Sequence, residues 1–303
     1  MRNATDYIQF YPTLRCNRSC CFCFNRSLPA APDMSFQDFI MLLNIITKLS
    51  MKTLDIIGGE PTLHADIVRF VREAKQRGLH VNISSNGTNI EILKDIQRVG
   101  DEITVGISIN DRDTFNHLKK FVLESKPIVK TLYGLGTDLT LITDILQLHP
   151  KNFFLIYRDV MGNDELHAVI PFFRFMSSAQ QKFYAASNIS TVYCSGFLPD
   201  KERHPELATV RCPAGTTKLG VMPDGSVYPC NLFFGRKEFS LGNILHDAFD
   251  RIWRHRALGF FRTFAGNRCP HKSCEFHMQC HGGCPAHALF LTGDIAAPDP
   301  RCS

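Results

Sequence analysis

Cys16-Asn17-Arg18-Ser19-Cys20-Cys21-Phe22-Cys23 lies just past the first strand-like run of the chain, and its reading decides the rest. Taken together, Cys16, Cys20 and Cys23 are spaced Cys-x3-Cys-x2-Cys, with the aromatic Phe22 before the last. Three thiolates on one short loop suit three corners of a cubane iron–sulfur cluster, whose usual ligands are cysteines. The fourth iron is then open to a reacting molecule. A structural zinc site wants four closed ligands. Cys21 is the nearest fourth thiol, but neighbouring cysteines are poorly placed for two corners of one tetrahedron.

The whole chain has 303 residues, is 44% hydrophobic and carries a net charge of +5. That allows one large domain, or a large domain with a small appendage, and a sizeable core. The late basic residues Arg251, Arg254, Arg256, Arg262 and Arg268 alternate with Trp253, Phe260, Phe261 and Phe264. They read as polar faces of amphipathic helices before they read as a nucleic-acid surface. The first residues lack the apolar run of a signal peptide, and no uncharged run is long enough for a bilayer. A soluble cytoplasmic protein is expected. Its twelve cysteines then argue for metal or redox chemistry, because cytosolic disulfides are rare. None lies between Cys23 and Cys194, a gap that a disulfide scaffold would not leave.

Six strand-then-helix units precede Cys194. The strands are read at Tyr7 to Thr13, Leu54 to Ile57, Val81 to Ser84, Ile103 to Ile109, Ile128 to Tyr133 and Phe153 to Tyr157. Helical spacing follows each, including Phe36, Phe39, Ile40, Leu43 and Ile46 behind a Ser35/Asp38 capping box. The later helices are expected near Ile67 to Ala74, Ile90 to Val99, Asp113 to Glu124, Leu139 to Leu148 and Glu165 to Met176. Such alternation implies parallel strands with right-handed crossovers. The expectation is an α/β partial (β/α)6 barrel like that of triosephosphate isomerase, over residues 1–184. Its chemistry belongs at the carboxyl ends of the strands. There lie the cysteine loop, Gly58-Gly59-Glu60-Pro61, Ser85-Asn86-Gly87, Ser108 and Asn110. Residues 185–303 read as a small cysteine-rich C-terminal domain, held by ligated metal more than by its own apolar core. Only Ala248 to Phe264 there shows sustained helical spacing.

The cysteine loop with Phe22, followed by Gly58-Gly59-Glu60-Pro61 at the second strand's end, resembles the radical S-adenosylmethionine (SAM) superfamily. The resemblance implies that the loop cluster chelates SAM, delivers one electron and yields a 5′-deoxyadenosyl radical that removes hydrogen from an unactivated carbon. It gives Gly58, Gly59, Glu60 and Pro61 to the methionine amino group. It gives Ser85 and Asn86 to the cofactor's flank, and Ser108 and Asn110 to the SAM ribose or carboxylate. Asn110 stands where many relatives carry Asp. As plain structure, Asn86-Gly87 is a tight turn and Ser108 a satisfied hydroxyl. Arg158, after the sixth strand, suits a carboxylate of SAM or substrate, or equally a salt bridge.

The later cysteines resemble the SPASM extension of the same superfamily: Cys212, Gly225 and Cys230, then Cys269, Cys274, Cys280, Cys284 and Cys302. One step departs, since Cys269 to Cys274 is x4 where the family has x2. Either Cys269 ligates from a longer loop or His271 replaces it. The resemblance implies two auxiliary 4Fe-4S clusters besides the SAM-binding one. Cys212, Cys230 and Cys284 fall to the first, and Cys269, Cys274, Cys280 and Cys302 to the second. Cys194 either completes the first or is a buried thiol that leaves an iron open to substrate. A zinc ribbon is the plain alternative for these cysteines. His277, His281 and His287 read as surface or supporting residues, not ligands.

The expected substrate is a peptide or protein side chain, oxidatively crosslinked or dehydrogenated; the alternative is dehydrogenation or epimerisation of a small sugar, aminoglycoside or nucleoside. About fifteen residues precede the cysteine loop, so peptide recognition would fall to a separate partner protein. A flavodoxin or ferredoxin is the expected electron donor.

Overall fold

In the computed structural model the described residues are 6–183, 189–192, 212–271, 273–275, 277–280 and 282–302. They begin with alternating elements: β1 (Tyr7–Phe10), α1 (Phe36–Lys48), β2 (Thr53–Ile56), α2 (Ile67–Gln76), β3 (His80–Ser85), α3 (Ile90–Gln97), β4 (Ile103–Ser108) and α4 (Arg112–Ser125). The alternation continues through β5 (Ile128–Tyr133), α5 (Leu139–Gln147), β6 (Asn152–Tyr157) and α6 (Phe172–Phe183). These are the six repeats of the expected partial barrel.

Ser35 caps α1, but the Asp38 carboxylate takes the Ser35 hydroxyl where a full capping box has it take the backbone N–H. Asp38 N–H donates to Ser35 Oγ at 3.1 Å, and the Ser35 hydroxyl donates to Asp38 at 2.7 Å. Gly78, at φ +74°, turns the chain out of α2 in a conformation that favours glycine. The helix expected from Glu165 to Met176 is instead a 3-10 turn over Asn163–Ala168 followed by α6. Pro171 explains the break, because a proline disfavours helical geometry in the residue before it. Its carbonyl accepts from Arg174 and Phe175 at the start of α6.

The chain packs as two compact units, one of residues 1–107 and 213–262, the other of residues 108–212 and 263–303. In the first, β8 (Lys218–Val221), β1, β2, β3 and β4 are parallel neighbours. Short antiparallel β9 (Ser226–Tyr228) and β10 (Gly242–Asn243) follow β8. Phe10 of β1, Phe39 of α1 and Phe70 of α2 stack fully buried, with Phe39 and Phe70 ring centres 3.9 Å apart. Each buried side chain of this size contributes about 1.5–3 kcal/mol, which anchors both helices on β1.

The C-terminal segment proves richer in core than its cysteines suggest. Leu219, Val221 and Val227 are fully buried, as are Ile252, Leu258 and Phe261. Its helical stretch is broken into α7 (Phe249–Trp253), a turn at Arg256–Leu258 and α8 (Gly259–Thr263). His255 supplies the break: its ring nitrogen accepts from Ala257 N–H and competes with helix continuation.

In the second unit β5, β6 and β7 (Ile189–Val192) are parallel. Strand β7 adds to the six read from the sequence. The unit ends with α9 (His277–Cys280), α10 (Pro285–Thr292) and a turn at Pro300–Cys302. Among the described residues no helix is long and apolar enough to cross a membrane.

Candidate functional site

The cysteine loop leaves β1 and folds on itself. Cys23 N–H donates to the Cys20 carbonyl at 3.1 Å, and Cys23 opens a 3-10 turn over Phe24–Ser27. Cys16 is exposed, while Cys20 and Cys23 are half-buried. Burial pushes both of these thiols up, and the nearby thiols push further: Cys23 and Cys16 act on Cys20, and Cys16 acts on Cys23. Cys20 and Cys23 thus resist ionisation in a way that bound positive charge relieves, which is the donor chemistry an iron–sulfur cluster requires. Cys21 is exposed, and Phe22 is half-buried.

Gly58 and Gly59 bring the end of β2 onto this loop. A Cβ on Gly59 would lie 2.1 Å from the Arg15 carbonyl oxygen, and one on Gly58 2.6 Å from that of Thr13. Gly59 N–H donates to Thr13, and Glu60 N–H to Arg15. The close approach that glycine permits is therefore to the chain's own backbone. Asn25 closes the clasp from beyond the cysteines, its Nδ2 donating to the Gly58 carbonyl at 2.7 Å. Arg15 is held in turn by Asp33, which also accepts from Thr13.

Glu60 is fully buried. Its Oε1 accepts from Thr62 N–H at 3.1 Å, the Thr62 hydroxyl at 2.6 Å and the Ser85 hydroxyl at 2.8 Å. Oε2 accepts from Asn86 N–H at 2.6 Å. Four donors of the chain itself reach the carboxylate, three converging on Oε1 and one on Oε2. Glu60 thus ties the end of β2 to the end of β3. Pro61 is buried at the start of the 3-10 turn Pro61–Leu63. Ser85 completes the tie by accepting from Gly87 N–H.

Asn86 is placed over the cysteine loop. Its Nδ2 donates to Asn17 Oδ1 at 2.9 Å and lies 3.9 Å from Cys16 Sγ. Asn17 donates onward to Thr88, whose hydroxyl donates to Asn86 Oδ1. Asn17, Asn25 and Thr88 were not singled out from the sequence; Asn17 and Asn25 flank the cysteines, and that adjacency was their only signal.

In the second unit Ser108 ends β4 half-buried. Asn110 Oδ1 accepts from Leu132 N–H at 2.8 Å, so that oxygen continues the backbone pairing toward β5. Arg158 follows β6; its Nε is buried without a hydrogen-bond partner, and its carbonyl accepts from Arg301 at 2.9 Å.

The same unit brings Cys269, Cys274, Cys280 and Cys302 into mutual reach. Burial pushes the Cys280 thiol up, and Cys269 and Cys274 add to this. Cys302 is pushed up to about 11, by burial first and then by Cys280 and Cys269. Cys269 is buried, whereas His271 is exposed and its carbonyl accepts from Cys274 N–H. Among the described residues no three His, Cys, Asp or Glu side chains close on one point as around a single ion; a cubane instead spreads its thiolates over separate irons.

Cys284 caps α10 and is half-buried, and its N–H donates to Asp299 Oδ2 at 2.9 Å. Asp299 is buried with Arg301, whose Nη2 lies 2.7 Å from Asp299 Oδ2. Burial raises the Asp299 carboxyl, and Arg301 more than reverses this, holding it at about 2. His287 is fully buried beside Asp159. Asp159, Asp299 and Arg301 did not emerge from the sequence, although two of them bracket Pro300 immediately before Cys302. Cys212 is half-buried and Cys230 buried, each in its own unit. Cys194 and His281 lie outside the described residues.

The radical SAM superfamily model matches residues 10–132, and the SPASM iron–sulfur cluster-binding domain model matches residues 212–284. The chain is 24% identical to a PqqA peptide cyclase of Streptomyces rochei, over 96% of this chain and 87% of that protein. It is also 24% identical to the antilisterial bacteriocin subtilosin biosynthesis protein AlbA of Bacillus subtilis, over 91% of this chain and 66% of that one. The crystal structure of Streptococcus suis SuiB bound to S-adenosylmethionine shares the fold, with a TM-score of 0.77 at 19% identity, over 99% of this chain and 77% of that one.

Proposed function

Because the chain belongs to the radical SAM superfamily and carries a C-terminal SPASM domain, we propose that it reductively cleaves SAM to remove a hydrogen atom from a peptide or protein side chain, leaving that side chain oxidised. The observation that carries this reading is the trio Cys16, Cys20 and Cys23 on one folded loop, with Cys16 lying 3.9 Å from the Asn86 amide and Cys20 and Cys23 pushed up by burial first and by neighbouring thiols next. The names of the relatives, a peptide cyclase and a bacteriocin biosynthesis protein, support the peptide. They lend nothing to the small-metabolite alternative.

When bound, the cluster and SAM supply the one-electron chemistry. The protein supplies placement. Cys16, Cys20 and Cys23 hold the cluster, and the backbone of Gly58 to Glu60 meets the SAM amino group. Glu60 acts one step back, by fixing Ser85 and Asn86 with its four accepted hydrogen bonds. Ser108 and Asn110 face the SAM ribose or carboxylate, with the Asn110 amide nitrogen as the available group. Arg158, its Nε buried and unpaired, pairs with a carboxylate of SAM or substrate.

Residues 1–184 form the SAM-cleaving part and residues 185–303 the auxiliary part. Cys269, Cys274, Cys280 and Cys302 hold one auxiliary 4Fe-4S cluster. Cys212, Cys230 and Cys284 hold another, to which Cys194 is the fourth ligand or substrate the fourth partner. A flavodoxin or ferredoxin in the cytoplasm supplies the electron, and a separate protein delivers the peptide.

Anaerobic reconstitution tests this directly. The holoprotein should be brown with about twelve irons per chain, four for each of three cubanes. Changing Cys16, Cys20 and Cys23 to Ala should remove about a third of the iron and abolish 5′-deoxyadenosine release. Continued SAM cleavage by that triple variant would refute the proposal.

A further inference from the structure

His287 is one helical turn beyond Cys284 on α10, in a place where a solvent-facing histidine would carry no message. It is instead fully buried. Val160 N–H donates to its Nε2 at 3.3 Å, and Asp159 Oδ1 lies 3.2 Å from the same nitrogen. A ring that accepts at Nε2 must carry its hydrogen on Nδ1, and a doubly protonated ring carries one there too. The Val160 N–H, donating to Nε2, therefore selects the ring form with its N–H on Nδ1, and Asp159 Oδ1 stays without a hydrogen-bond partner. Yet Nδ1 is buried without a hydrogen-bond partner, and the nearest carboxylate oxygen, Asp299 Oδ2, is 4.0 Å away. A buried N–H left unpaired costs free energy and calls for an acceptor.

The surroundings hold the ring still. Asp299 takes the Cys284 N–H, and its other contacts go to Arg301. Arg301 in turn grips the Arg158 carbonyl at the end of β6 and lies over the Tyr157 ring. Tyr157 donates its hydroxyl toward the Ile170 or Arg301 carbonyl. Gly283, beside the ligand, is packed so tightly that a Cβ there would meet Asp299 Cβ at 2.1 Å. Cys284 and His287 are thus fixed on one rigid bracket.

We propose that His287 is a positioning residue of the auxiliary cluster held through Cys284: its Nδ1–H donates to the Cys284 sulfur, with the Val160 N–H bracing Nε2, and this raises the cluster's reduction potential. The inference rests on the auxiliary-cluster reading above. Donors to cluster sulfurs stabilise the reduced form, because reduction adds negative charge that the sulfurs carry. The Val160 N–H, donating to Nε2, serves to aim the ring.

The experiment is an anaerobic redox titration, followed by electron paramagnetic resonance, of protein carrying Cys16, Cys20 and Cys23 changed to Ala, so that only auxiliary signals remain. Against that background, His287→Phe keeps ring volume without the donor. It should make one auxiliary cluster harder to reduce by about tenfold in equilibrium constant, which is about 59 mV for one electron. His287→Gln, which retains an amide donor, should recover part of the shift. Asp159→Asn, whose amide can donate to the bare Nε2, keeps the N–H on Nδ1 and should leave the potential near that of the background protein. Electron–nuclear double resonance on the background protein, with His287 intact, gives a readout that needs no change at His287: reduced auxiliary cluster should show a strongly coupled proton that exchanges in deuterium oxide and is lost in His287→Phe. Unchanged potentials in His287→Phe with auxiliary iron intact would overturn the inference, as would the absence of that proton when His287 is present. Should the background protein itself hold no auxiliary iron, the auxiliary-cluster reading would fail first, and the iron count separates the two cases.

Discussion

Glu60→Gln replaces a buried carboxylate with an amide of the same shape, and the geometry says what that costs. The Gln oxygen can take the place of Oε1 and keep the Thr62 and Ser85 donors, now at neutral strength. The amide NH2 then faces Asn86 N–H, which sits 2.6 Å from Oε2 in the native protein. Two donors oppose each other, and the Asn86 N–H is left unpaired. Weaker bonds from Thr62 and Ser85 are set against the smaller cost of burying an uncharged group. The unpaired N–H then dominates, at about 2 kcal/mol. For a chain this large that lowers the unfolding midpoint by about 4–8 °C at most. The assay is thermal unfolding of the metal-free protein, with Ser85→Ala made alone and in the Glu60→Gln background. Because Ser85 donates to Glu60, the two changes should fall short of additivity by about 0.5–1 kcal/mol. The displaced Asn86 should also weaken SAM binding by the reconstituted enzyme. A Glu60→Gln protein as stable as the native one, with strictly additive Ser85→Ala, would refute the idea that this carboxylate ties β2 to β3.

Gly59→Ala forces a Cβ onto the Arg15 carbonyl, and should cost more than about 2 kcal/mol in denaturant unfolding while sharply lowering iron uptake by the first cluster. Asn25→Ala removes the clasp to Gly58; it should cost about 1 kcal/mol and slow cluster reconstitution, measured by the growth of visible absorbance. Asp33 is held below its ordinary carboxylate value: burial pushes it up, and hydrogen bonds from Arg15 and Thr13 outweigh that. Its folded pKa being depressed, the stability it contributes is present above about pH 4 and fades as pH falls through the folded value. Asp33→Asn should therefore be less stable than native protein at pH 7, by no more than about 1 kcal/mol because Arg15 is largely exposed, and the difference should close in acid.

Much of this protein is legible without coordinates. Hydrophobic period sets strand against helix locally, so α1 with its Ser35 cap, α4 and the six strands fall where the pattern puts them. The helix read from Glu165 failed for a local reason as well, since Pro171 carried the warning. Strands β7 and β8 were not legible: Ile189–Val192 and Lys218–Val221 are too short to stand out, and only pairing with β6 and β1 makes them strands.

The linear order of cysteines, with Phe22 and Gly58-Gly59-Glu60-Pro61, determined the chemistry by itself, because ligand type and spacing along a loop are properties of the chain. What each polar group does was decided by tertiary structure alone. The Glu60 carboxylate acts as an internal brace because Ser85 and Asn86, distant in the chain, deliver donors to it. His287 turned from an ordinary histidine into a buried one because Asp159 and Arg301 close over it. A donor or acceptor acquires its role from the partner it meets across space, and sequence spacing does not report that meeting.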